Sequence, residues 1–179
     1  VFASSQMSNM SYSPYGVMKR VGELYTKSLN GLIVKFWNVF GIEKDMEKAH
    51  VITDFIAKGF DSGVIDMMTD GTEEREFLYA EDCCEALETI MGCYDQFTCD
   101  DELHITTGVS TSILEIARNI QVLFKNIGKE VEVVPSPSKD EVQKDARNIP
   151  DPYIKKWWQP KTNVVDGITQ VFEEMKKNY

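Results

Sequence analysis

A tyrosine and a lysine stand four residues apart in Ser13-Pro14-Tyr15-Gly16-Val17-Met18-Lys19. On a helix that spacing places Tyr15 and Lys19 on one face, a turn apart. A phenol beside a fixed ammonium is a proton-transfer group suited to neutral pH. The positive charge favours the phenolate of a side chain that ordinarily titrates at about 10. Just upstream, Ser4 and Ser5 end a short apolar stretch and can bring a hydroxyl to the same place. A serine, a tyrosine and a lysine together can move a proton on and off a carbinol or carbonyl oxygen.

The elements that must position these groups follow from cap signals and apolar spacing. Ser13 is a good N-cap and Pro14 a good first helical residue. The helix they open carries Val17, Val21 and Leu24, with Met18 and Tyr25 alongside, at a spacing that predicts a buried face, and Gly31 closes it. Residues 1–3 read as the end of a buried strand. The first methionine is Met7, so further chain upstream is expected. Residues 32–37 form an apolar run broken only by Lys35, as in a buried parallel strand, and residues 38–41 read as a turn. Helices are predicted over 51–60, over a stretch capped by Glu81 and Asp82 and running to about 91, from the capping box Ser112-Ile113-Leu114-Glu115 to Gly128, and over 164–175. Strands are predicted over 64–68, 76–79, 102–106 and 130–134, the last at an edge, with a polar loop over 136–152. Strands alternating with helices make the class α/β.

The chain has 179 residues, 42% of them apolar, enough for a real core in one unit. A formal net charge of -10 argues against nucleic acid and anionic membranes as partners. No apolar run approaches the roughly 18–20 residues of a membrane span, and no signal peptide is visible, so a cytoplasmic setting is expected. Cys83, Cys84, Cys93 and Cys99 include no C-x-x-C pair and read as reduced thiols. His50 and His104 read as structural rather than catalytic, and Trp157 and Trp158 as core under the last helix. No G-x-G-x-x-G and no P-loop occurs.

Beyond Tyr15-x-x-x-Lys19, the chain holds Lys35-Phe36-Trp37-Asn38-Val39-Phe40-Gly41, then Asp70-Gly71-x-x-x-Arg75-Glu76-Phe77-Leu78-Tyr79-x-Glu81-Asp82, then Trp158-Gln159-Pro160-Lys161-Thr162. In this order the segments resemble the C-terminal half or more of the extended short-chain dehydrogenases/reductases, the NAD-dependent sugar-nucleotide epimerase/dehydratase group. The resemblance spans nearly all of the chain. It implies the C-terminal part of a Rossmann-type parallel sheet with a small substrate-binding domain. Residues 1–41 and about 77–107 would belong to the sheet and its helices. Residues of about 42–76 and 108–179 would form the substrate-binding part.

The resemblance also implies roles. Tyr15 would be the acid/base, Lys19 would hold it and the nicotinamide ribose of NAD, and Ser5, before Ser4, would bond the reacting oxygen. Asn38 would contact the substrate diphosphate and Arg75 a phosphate, a task suited to a planar guanidinium. His50 and Met68 would line the substrate nucleotide, and Arg147 would be a second phosphate ligand.

The departures from the family pattern are Lys35 for its usual Arg, Ile42 for a frequent Pro, and a short stretch between Ser5 and Tyr15. Gln6 and Met7 stand where dehydratases of the group carry an Asp-Glu pair, which favours epimerase- or reductase-like chemistry. The glycine-rich turn that would hold NAD lies nowhere in the 179 residues, so this chain by itself is expected to be inactive. The alternative is a non-catalytic module that binds a nucleotide sugar or self-associates, as a homodimer or larger assembly, through the Tyr-bearing helix.

Overall fold

The computed structural model describes residues 1–9, 13–43, 45–140 and 149–179. Three parallel strands, β1 (Phe2–Ser5), β2 (Ile33–Phe36) and β6 (Glu102–Ile105), form one sheet in the order β1-β2-β6. Helix α1 (Pro14–Ser28) covers one face of it and α3 (Ala80–Gly92) the other. The chain leaves β2 and enters a second sheet as β3 (Asn38–Phe40), parallel to β5 (Glu74–Tyr79), which pairs antiparallel with β7 (Ser110–Ser112). A third pair, β4 (Val64–Asp66) and β8 (Glu132–Val134), is parallel. Helices α2 (Val51–Asp61), α4 (Ile113–Asn126) and α5 (Val164–Met175) complete an α/β fold of Rossmann type.

Two cores result. Val34, Leu78, Ala86, Ile90, Leu103 and Ile105 pack between the first sheet and α3. Ile56, Ile65, Ile116, Phe124, Val171 and Phe172 pack among α2, α4, α5 and their strands. Strand β5 is the wall between them: Leu78 faces the first core, while Phe77 and Tyr79 face the second. That is the two-residue period of a strand with both faces covered.

The predicted caps are present on α1, where the Ser13 hydroxyl accepts from the Gly16 N–H at 3.1 Å, and on α4, where Ser112 accepts from Glu115 at 3.1 Å. Helix α3 differs. Its N-cap is Tyr79, without a side-chain cap, and Glu81 and Asp82 sit in its first turn. Asp82 is buried there, and accepts from the Thr162 N–H at 2.8 Å. Residues 38–41, expected as a turn, carry β3, because the chain passes from one sheet straight into the next. Trp158 is buried as expected, but in the core beside α3 rather than under α5.

The largest correction concerns α1. Val17, Val21 and Leu24, expected to be buried, are exposed, as are Met18 at 66% and Tyr25 at 70%. The side turned inward carries Gly16 and Glu23. Glu23 meets a polar layer on that face of the sheet: it accepts from the Ser4 hydroxyl at 2.5 Å, pairs with Arg20 at 2.8 Å and lies 3.5 Å from Lys35. Lys35 is fully buried, pairs with Glu102 at 2.8 Å and donates to Asn9 at 2.7 Å. The helix therefore follows the charge network of the sheet. Burial raises the Glu23 carboxyl, but hydrogen bonds from Ser4, Ser8 and Arg20 and the charge of Lys35 outweigh it and hold the group below its ordinary range.

Candidate active-site cleft

A cleft of about 590 Å³ opens between the C-terminal end of β1, strand β3, helix α2 and the turn into β5. Strand alternation decides which serine faces it. Ser4 points towards α1 and Glu23, whereas Ser5, the last residue of β1, lines the cleft and accepts the Met7 N–H at 3.2 Å.

Asn38 enters the cleft at the start of β3. Its carboxamide oxygen accepts from Gln6 Nε2 at 3.3 Å, and its Nδ2 donates to the Glu76 carbonyl at 3.3 Å. Gln6 is therefore an orienting residue for Asn38, a role that its position after Ser5 does not advertise in sequence. Glu76 is anchored in turn, its carboxylate accepting from the Thr106 hydroxyl at 2.7 Å and the Gly108 N–H at 2.9 Å.

Three further predicted residues line the same cleft. Met68 stands on its rim, 89% exposed, while neighbouring Met67 is buried in the core. His50 precedes α2; its ring Nδ1 pairs with the Glu43 carboxylate, and its N–H donates to the same group at 2.9 Å. Burial raises Glu43, yet the ring and N–H of His50 and the Thr53 hydroxyl hold it below its ordinary range. Arg75, mostly buried on β5, pairs with Asp140 and donates to the Glu74 carbonyl at 2.9 Å. Neither Asp140 nor Glu43 was singled out in sequence; their partners are set by how loops fall, and no local motif marks them. Arg147 lies outside the described residues.

Tyr15 and Lys19 do share a face of α1. The Lys19 ammonium is 5.5 Å from the centre of the Tyr15 ring and 5.4 Å from that of Phe2, and donates to the Ala3 carbonyl at 2.7 Å. Tyr15 is exposed, and neither residue lines the cleft wall. Their distance from Ser5 is controlled at Gly16. A Cβ there would sit 2.5 Å from the Met7 carbonyl oxygen, so the start of α1 lies directly on the short 3-10 turn Gln6–Asn9 that follows Ser5.

Among the described residues, a dinucleotide cradle would need a glycine turn that carries a parallel strand into a helix. Glycines with positive φ occur at Gly63, Gly71, Gly108 and Gly128, and none lies in a turn that carries a parallel strand into a helix. Strand β5 runs into α3 through Tyr79 with no glycine. The residues present thus do not form a pyrophosphate site of the strand-turn-helix kind. Among the described residues no group of His, Cys, Asp or Glu could hold a metal ion, and no helix is long and apolar enough to cross a membrane.

Residues 4–105, more than half of the chain, match the profile described as the NAD dependent epimerase/dehydratase family. A putative UDP-glucose 4-epimerase of Methanocaldococcus jannaschii is 29% identical over 174 residues, covering 93% of this chain and 54% of that protein. A GDP-L-fucose synthase of Sinorhizobium fredii is 26% identical over 139 residues, covering 75% of this chain and 42% of that protein. Among solved structures, a UDP-glucose 4-epimerase of Thermotoga maritima with UDP-glucose superposes with a TM-score of 0.81 at 20% identity, over 99% of this chain and 63% of that one. The chain thus spans about half the length of the curated relatives it matches.

Proposed function

Because the chain belongs to the NAD dependent epimerase/dehydratase family, we propose that its cleft binds a nucleotide-linked sugar, one hydroxyl of which would exchange its proton at Tyr15, Lys19 and Ser5 while the carbon bearing it would pass a hydride to NAD. The observation that carries this reading is convergence: Ser5, Asn38, His50, Met68 and Arg75, spread over seventy positions of sequence, line one cleft. Arg75 meets a phosphate as a planar fork, Asn38 offers its amide beside the diphosphate, and Met68 and His50 flank the base. The relatives are named for UDP-glucose and GDP-L-fucose, so the family does not fix the base.

Within this reading the division of labour follows from position. Ser5 donates to the reacting oxygen from the end of β1. Tyr15 exchanges the proton from the start of α1, and Lys19, one turn on, places a positive charge beside the phenol. NAD is the cofactor of the reaction, in a cytoplasmic setting, but the described residues offer it no pyrophosphate cradle. We place that cradle on polypeptide other than these residues, so the 179-residue chain alone is inactive. The sheet residues 1–41 and about 77–107 then carry the reacting groups, and residues of about 42–76 and 108–179 hold the nucleotide sugar.

Calorimetric titration of the 179-residue protein separates the two parts of the reading. UDP-glucose, or GDP-mannose if the base is guanine, is expected to bind, and Arg75→Ala to weaken it about tenfold or more. NAD is expected to give no binding. Micromolar affinity for NAD would overturn the claim about the cofactor, and no binding of either nucleotide sugar would overturn the cleft assignment.

A second reading rests on a separate observation, the stripe of Val17, Met18, Val21, Leu24 and Tyr25 on the outer face of α1. A helix face of this kind suits association with a second copy, and the chain would then serve as a binding or assembly module.

A further inference from the structure

Among the described residues lining the cleft, each basic side chain is matched by a carboxylate of the chain itself. His50 is paired with Glu43, Lys58 lies 3.0 Å from both Asp54 and Asp66, and Arg75 is paired with Asp140. The pairs are not equivalent. The His50 side chain is 74% exposed and that of Asp66 is 72% exposed, so water and salt screen those contacts. Arg75 and Asp140 are 13% and 15% exposed. Theirs is the pair in which charge is least screened.

Asp140 is also held in place. The segment that carries it is bonded to the turn leading into β5: Ser136 N–H donates to the Thr69 carbonyl at 3.0 Å, and Asp70 N–H donates to the Ser138 carbonyl at 2.7 Å. The backbone thus presents Asp140 to Arg75 from across 65 positions of sequence. An anion arriving in the cleft meets a guanidinium whose charge is already neutralised.

We propose that Asp140 is a built-in counter-ion that occupies Arg75 in the empty cleft and must give way to a phosphate of the incoming ligand. This rests on the assignment of the cleft to nucleotide-linked ligands. A carboxylate carries one charge and a diphosphate at least two, so exchange favours the diphosphate. An uncharged nucleoside gains nothing from it. Asp140 therefore lowers affinity for every anionic ligand and lowers it most for weakly charged ones. It acts as a selectivity residue without needing to touch the sugar.

The test is a double-mutant cycle read by calorimetry at low salt, with UDP, GDP and dTDP as probes. Asp140→Asn keeps the shape and removes the charge, and a thermal melt confirms that it folds. Its affinity for the best of the three is expected to rise about fivefold or more, with the gain shrinking as salt is raised. In the Arg75→Ala background the same change is expected to do nothing. Wild-type binding left unchanged or weakened by Asp140→Asn overturns this inference while the cleft assignment survives. An equal gain in both backgrounds overturns it too, because the effect then does not pass through Arg75. If none of the three nucleotides binds wild type or Asp140→Asn, the inference and the cleft assignment fall together.

Discussion

Glu102 shows how much a single carboxylate can carry here. The His104 ring, with Nε2 3.7 Å away, favours its ionised form; burial opposes ionisation; and Lys35 adds a hydrogen bond and a charge. The result holds its carboxyl down to about 2 from an ordinary 4.5. The indole N–H of Trp37 fixes the arrangement: it can only donate, so His104 Nδ1, 3.2 Å away, must accept, which leaves the ring proton of a neutral imidazole on Nε2, facing Glu102. A carboxyl depressed by folding contributes stability above its unfolded value and loses it as pH falls through the folded one. The contribution of Glu102 is therefore complete above about pH 4.5 and disappears towards pH 2. Glu102→Gln is expected to cost about 1–2 kcal/mol at neutral pH, after allowance for its partial exposure. Between pH 4.5 and 2 the variant is expected to lose less melting temperature than wild type, as followed by circular dichroism. Parallel pH curves would show that the pair is not what acid breaks. Lys35 and Glu102 announce none of this in sequence, where one reads as a lone charge in an apolar run and the other as a strand start.

At the scale of elements, the contact between α1 and the Gln6–Asn9 turn is the joint that sets Tyr15 relative to Ser5. Gly16→Ala would drive a methyl to 2.5 Å from the Met7 carbonyl oxygen, and backbone on both sides must move. The expected cost is about 1–3 kcal/mol of stability, from denaturant melts. A variant as stable as wild type would mean that the joint is slack. The elements show what sequence can and cannot tell. Ser13, Pro14, Ser112 and Glu115 announce helix starts because capping is local chemistry. Strand β7 escapes detection because Ser110, Thr111 and Ser112 carry no apolar alternation and exist as a strand only through β5. Apolar spacing located α1 correctly but turned it the wrong way, since Glu23 goes inward for partners on two other elements, β1 and β2. Asn38 and Arg75 were legible as cleft residues through their family segments. Asp140 was not, because its contact with Arg75 is made by a loop.

For the whole molecule, the stripe on α1 is a surface that calls for a partner, whereas the outer edge of β1 is guarded. In β1 the Phe2 N–H bonds the Leu32 carbonyl at 2.8 Å, so the Ala3 carbonyl points away from the sheet, where the Lys19 ammonium takes it. A lysine along an open strand edge discourages pairing with other chains, while the α1 stripe invites it. Association is therefore expected to run through the helix. Size-exclusion chromatography with light scattering should give a dimer or larger species at tens of micromolar, and Leu24→Arg, on a side chain 57% exposed, should return it to monomer without loss of melting temperature. A wild-type protein that stays monomeric at high concentration would remove α1 as an interface.

Strand β5 gives the molecule a party wall. Phe77 leans on the helices at the back of the cleft, its neighbour Leu78 supports the opposite room, and Arg75, two positions before Phe77, lines the cleft. Whatever tightens one side must be felt through the same few peptide units on the other. Occupancy of the cleft is therefore expected to change the firmness of the layer under α3, as amide exchange would read it.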